Sequence, residues 1–134
     1  MSSASLPDNE RERLLALYEC DVLDTPSDPL FDSITTLAAQ VCAAPIALLS
    51  LIDQRRQWFK SNHGLPGVAQ TPREVAFCAH AILGEEMLEI SDATRDARFF
   101  DLLLLDHVAE RGVRAIDERS LPFDSHGLRC TRNV

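Results

Sequence analysis

The run IALLSLI, Ile46 to Ile52, is apolar throughout apart from one serine, with Pro45 before it and Asp53 after it. A run this short and continuous reads as a β-strand covered on both faces, because a half-buried strand would alternate. The rest of the chain must then supply partners for its backbone and cover for its side chains. Further strands and packed helices are what the flanking segments have to provide.

The flanking segments supply those parts. Asn9 followed by Glu12 has the form of a capping box ahead of Leu14, Leu15, Leu17 and Tyr18. It predicts a helix from about Glu10 to Cys20 with one packed and one solvated face. The prolines and aspartates of DVLDTPSDP give turn chemistry, and Asp28 before Pro29 predicts an N-cap and a first helical position. Leu30, Phe31, Ile34, Leu37, Ala38 and Val41 then fall at helical spacing, and Ala44-Pro45 ends that helix. After the polar turn DQRR, QWFKS completes a hairpin with IALLSLI, placing Trp58 and Lys60 on one face and Phe59 on the other. The loop NHGLPGVAQ follows.

Thr71-Pro72-Arg73-Glu74 joins an N-cap threonine, a proline at the first helical position and a capping-box glutamate. It predicts that REVAFCAHAI is helical up to Gly84, with Val75, Ala76, Ala79, Ile82 and Leu83 as its apolar stripe. At helical pitch, residues two apart point about 200° from each other, so Cys78 and His80 flank that stripe on opposite sides and share neither a metal ion nor a proton. MLEIS, Met87 to Ser91, alternates as a strand, a further helix is expected from about Ala97 to Arg111, and VRAID reads as a short strand. The remainder of 113–134 is expected to be an atypical, poorly ordered tail, and 1–8 a disordered N-terminus.

A chain of 134 residues is the size of one domain, and its formal charge of −8, from 21 acidic and 13 basic residues, offers no footprint for phosphate backbones. Nucleic acid and membrane are therefore not expected partners. With no signal-peptide core and no apolar run long enough to span a bilayer, a cytoplasmic location is expected. Cys20, Cys42, Cys78 and Cys130 lie at wide, unequal spacings, which fits reduced thiols better than a disulfide framework or a zinc site.

Taken in order, LDTP, FDSITTLAAQVCAAPIALLSLID, RQWFKSNHGL, TPREVAFCAHAI and EISDATRDARF resemble the GAF domain found at the N-terminus of many bacterial sensor histidine kinases and diguanylate cyclases, over about Asn9 to Phe100. The resemblance implies a GAF-like antiparallel sheet with flanking helices over 9–112, a ligand pocket on one sheet face, and a role as input module rather than catalyst. Beyond the DAR-Phe stretch the chain departs from the family. The asparagine-proline turn and the two strands that would flank IALLSLI are absent. Either Leu102 to Val134 folds in an unusual way, or the chain is a truncated or frame-altered member lacking its C-terminal strands, and the abrupt break favours the second. An edge left bare in this way invites pairing with a second copy, a homodimer.

The expected ligand-binding residues are Trp58, Lys60, Phe77, Cys78 and His80, with the indole as pocket floor and the ammonium as an anion contact. Each has a plainer reading as core or surface. No catalytic residue, metal ligand set or cofactor is expected. The leading expectation is a small-molecule sensor that is not an enzyme, acting on a signalling output domain or kinase partner. One alternative is a thiol-dependent enzyme centred on Cys78 like the free methionine sulfoxide reductases, whose neighbouring partner cysteines this chain lacks. Another is a ligand-free dimerisation module. Asp92 and Asp96 read as turn and cap residues, and His63 and His107 as surface residues.

Overall fold

A computed structural model describes residues 3–93, 95–99 and 113–115. Among them the elements run α1 (Glu10–Glu19), α2 (Pro29–Val41), β1 (Ala47–Ile52), β2 (Arg56–His63), β3 (Gln70–Pro72), a single 3-10 turn (Arg73–Val75), α3 (Phe77–Ala81), β4 (Leu88–Ile90) and β5 (Val113–Ala115). Among the described residues, β1, β2 and β3 form an antiparallel sheet in that order, and β4 pairs antiparallel with β5. The fold is α+β with an antiparallel sheet, the class that the family resemblance implies.

The β1–β2 hairpin forms as its sequence dictates, closed by the Asp53 amide donating to the Arg56 carbonyl at 2.9 Å. β1 is nevertheless an edge strand of the described sheet rather than a central one. Only Ile52 is buried, and the other residues of β1 are half-buried. Cross-strand pairs share a face. Leu49 opposite Ser61 and Leu51 opposite Trp58 therefore look toward α2, while Ser50 opposite Phe59 and Ile52 opposite Gln57 look toward α3. Ile52 packs there with Ala76 and Ala79, and Ala4, from the stretch expected to be disordered, joins them.

α2 begins where Asp28 and Pro29 place it, with Asp28 Oδ1 accepting from the Leu30 amide at 2.9 Å. Its packed face is rotated from the stripe expected, of which only Phe31 and Ala38 are half-buried. Thr35 and Ala39 are buried, whereas Leu30, Ile34, Leu37 and Val41 are 66%, 48%, 50% and 48% exposed. Small side chains let the helix lie close on the sheet, and Thr35 there gives the Ser61 hydroxyl a second partner beside Asp32. α1 also departs from its amphipathic reading: it buries no residue, and Asn9 makes no side-chain cap. Polar contacts hold it instead. Arg13 donates to the Ile52 carbonyl, Glu10 pairs with Arg13 and Arg73, and Tyr18 donates to Asp53 at 2.8 Å.

REVAFCAHAI is not one helix. Thr71 and Pro72 are drawn into β3 opposite Gln57 and Arg56, and Ala76, at φ −89° and ψ 126°, separates the 3-10 turn from a five-residue α3. Strand pairing of Thr71 outcompetes its use as a cap. The strands expected at Met87 to Ser91 and at VRAID appear as β4 and β5. Ile90, Ala93 and Phe99 form a second apolar cluster, with Val75, Phe77 and Leu88 packed against it. Of the expected helix from Ala97 only a turn at Ala97 to Phe99 is described, and most of that helix, most of the expected tail and His107 lie outside the described residues.

Candidate functional site

A cleft of about 650 Å³ opens between α2, the segment before it and β2. Asp24, Thr25, Asp32, Thr35, Trp58 and Lys60 line it, with Ser61 and His63 continuing along the strand. Its geometry starts from a β-bulge. The β1–β2 register shifts between Leu49, opposite Ser61, and Ser50, opposite Phe59, leaving Lys60 without a partner in β1. Strict alternation would send Lys60 and Ser61 to opposite faces, and the bulge brings both toward α2.

Two polar ties result. Ser61 Oγ donates to Asp32 Oδ1 at 2.6 Å and lies 2.8 Å from Thr35 Oγ1. Lys60 Nζ donates to Thr25 Oγ1 at 2.7 Å and to the Pro26 carbonyl at 2.8 Å, and stands 5.5 Å from the centre of the Phe31 ring. Thr25 Oγ1 in turn donates to the Val22 carbonyl at 2.6 Å, so Lys60 anchors the whole turn that enters α2. At the rim, Arg56 holds both Asp24 oxygens at 2.8 and 2.7 Å, and this pairing keeps the Asp24 carboxyl below its usual range.

The five expected ligand contacts are split by the sheet. Trp58 and Lys60 line the cleft together, as their shared face requires, and both are 7% exposed. Phe77, Cys78 and His80 do not line it and belong to α3 on the other face. Phe77 packs on Phe99 with ring centres 4.7 Å apart. Cys78 Sγ accepts from Ser50 Oγ at 3.3 Å, and burial pushes its thiol up. His80 meets Phe99 edge-on at 4.8 Å, and burial, with the nearby Arg98 charge, pulls its imidazole down. Cys78 and His80 thus face different neighbours, as helical pitch dictates. Among the described residues, Cys20 and Cys78 are free thiols.

Sequence reading missed Asp32, Thr35 and Ser61. The available signal was the run of small and hydroxyl residues on α2 opposite its large apolar ones, which marks close approach to a sheet. Asp96 does act as a turn residue, accepting from the Arg98 amide at 2.9 Å, and His63 borders the cleft. Among the described residues there is no cluster of His, Cys, Asp or Glu able to hold a metal ion, and no helix long and apolar enough to cross a membrane.

Fold and cleft together define an α+β module with a polar cleft on one sheet face. No protein-family model matches the chain. Over 101 residues it is 40% identical to the cyclic di-GMP phosphodiesterase PA2567 of Pseudomonas aeruginosa, a match that covers 75% of this chain and 17% of that protein. The chain thus spans less than a fifth of the length of the curated relative it matches. The expectation that the chain is not an enzyme is corrected by this likeness, because the protein that carries the similar segment is named as a phosphodiesterase.

Proposed function

We propose that this chain is a GAF-type, small-molecule-sensing segment of an enzyme of cyclic di-GMP turnover. The observation that carries the reading is the 40% identity to part of a cyclic di-GMP phosphodiesterase, and the order of helices and antiparallel strands agrees with it. The cleft beside Trp58 and Lys60 is where the ligand enters. Lys60 ties the turn containing Thr25 and Pro26 to the sheet, and that turn leads directly into α2. A ligand that engages the ammonium competes with those ties and favours one placement of α2 over another, which is how binding biases an output. The partner that reads this change is an output domain of cyclic di-GMP signalling.

The test is a hybrid in which this chain replaces the similar segment of the Pseudomonas aeruginosa phosphodiesterase. Hydrolysis of cyclic di-GMP should persist, and Lys60→Gln within the hybrid should change its rate. A hybrid whose rate is indifferent to Lys60 would remove the sensing role.

A further inference from the structure

Resting on the reading of the cleft as a ligand site, we propose that it takes a small molecule bearing a single carboxylate and at least one N–H or O–H donor, and not a dinucleotide. Lys60 is the one cation lining the cleft among the described residues. It is 7% exposed, and its two hydrogen-bond partners, Thr25 Oγ1 and the Pro26 carbonyl, are both neutral. An ammonium carries three donors, so one proton is left over for a further acceptor. A ligand carboxylate supplies both the missing acceptor and the missing charge.

The surroundings limit how much negative charge can enter. Asp24 and Asp32 line the same cleft, and the whole chain carries −8. Arg56 neutralises Asp24, which leaves one ammonium and one carboxylate in the cleft, a balance that a ligand with one carboxylate and a donor of its own matches and that two phosphodiester groups overload. Nor is the start of α2 free to hold phosphate, because Asp28 already accepts from the Leu30 amide. The donor requirement comes from Asp32. One of its oxygens accepts from Ser61, and the other has no partner among the described residues. The wall supplies a further handle: Trp58 is 7% exposed, and its indole N–H has no hydrogen-bond partner among the described residues.

Trp58 is the only tryptophan of the chain, so its emission reports occupancy of the cleft directly. The probes are lactate and L-leucine as carboxylates with donors, lactamide as the neutral isostere, inorganic phosphate, and cyclic di-GMP. The expected result is a saturable change in emission with lactate or L-leucine and none with lactamide. Lys60→Gln should weaken it about tenfold or more, and Lys60→Arg should retain part of it, both variants showing the wild-type circular dichroism spectrum. An equal response to lactamide, tighter saturation by phosphate or cyclic di-GMP, or no response to either carboxylate would overturn the ligand class. A saturable response confined to the other probes would leave the cleft standing as a binding site, whereas indifference of the hybrid phosphodiesterase to Lys60 would remove the sensing role itself.

Discussion

Glu10 and Arg73, 63 positions apart, are joined by paired hydrogen bonds from the guanidinium to both carboxylate oxygens. Arg13 adds a second guanidinium to the same carboxylate, and Arg73 also donates to the Asp53 carbonyl at 3.2 Å. A helix that buries no side chain is thereby fastened to the end of β1 and to the segment that follows β3. The clamp takes the place of the apolar face that α1 lacks.

This clamp makes stability sensitive to acid. Burial alone would raise the Glu10 carboxyl, but the hydrogen bonds from Arg73 and Arg13 outweigh it and hold the group at about 2, against an ordinary value of 4.5. A carboxylate whose folded pKa is depressed contributes stability that is fully present above the unfolded value and is lost as pH falls through the folded one. The window therefore runs from about pH 4.5 down to about pH 2. Allowing for solvent screening of the pair, the contribution at neutral pH is on the order of 1–2 kcal/mol. Urea unfolding at pH 7 and pH 3 should show Glu10→Gln less stable than wild type at neutral pH, with the gap narrowing in acid. Equal midpoints at pH 7 would refute the clamp.

The rotated packing of α2 makes an asymmetric prediction. Ile34→Lys and Leu37→Lys, on the exposed side, should alter stability by no more than about 0.5 kcal/mol. Thr35→Ala should cost about 1–2 kcal/mol, because Ser61 loses a buried partner, and Ala39→Leu about 1–3 kcal/mol through overpacking. Thermal melts of the four variants decide between the faces. If the lysine variants were the damaging ones, the large apolar stripe would be the packed face after all.

Why that face misled is instructive about what a sequence discloses. The hairpin was legible because IALLSLI, a polar turn and QWFKS lie next to one another and need only local pairing. The Asp28-Pro29 start was legible for the same reason, since the cap bonds a residue two positions on. Leu30, Ile34, Leu37 and Val41 have the spacing of a packed stripe, but which face meets a sheet depends on what the sheet presents. Ser61 presents a hydroxyl there only because of the bulge at Lys60. Thr71 failed in the same way. Its capping signal is local, and it lost to pairing with Gln57, which is set by the fold. Strand alternation discloses Trp58 and Lys60 as neighbours, whereas nothing local to Phe77, Cys78 and His80 discloses which sheet face α3 covers.

The turn after β2 rests on one glycine. Gly64 sits at φ +94°, and a Cβ built on it would lie 2.1 Å from the Pro45 carbonyl oxygen, a backbone atom that cannot swing aside. Gly64→Ala should therefore destabilise the chain by at least about 2 kcal/mol, combining left-handed strain with a steric clash. Gly67, at φ +80° with nothing near its Cβ, carries the strain alone, and its alanine variant should cost about 1–2 kcal/mol. Denaturant midpoints measured side by side test the ranking, and Gly67→Ala proving the worse of the two would contradict the clash.

The two free thiols should differ sharply in reactivity. Cys20 is exposed, while Cys78 faces Ser50 beside Ile52, Ala76 and Ala79. The thiolate is the nucleophile, and burial pushes the Cys78 thiol up and away from that form at neutral pH. Iodoacetamide applied to the native chain at pH 7.5, with labelled peptides followed by mass spectrometry, should modify Cys20 well before Cys78. Cys78 should catch up only when urea opens the fold. The same burial weighs against a thiol-centred reaction on α3, because a nucleophile of that kind needs a depressed pKa and a path for its substrate. Labelling of Cys78 as fast as Cys20 in the native state would show that α3 opens readily, and would return Cys78 to consideration as a reactive group.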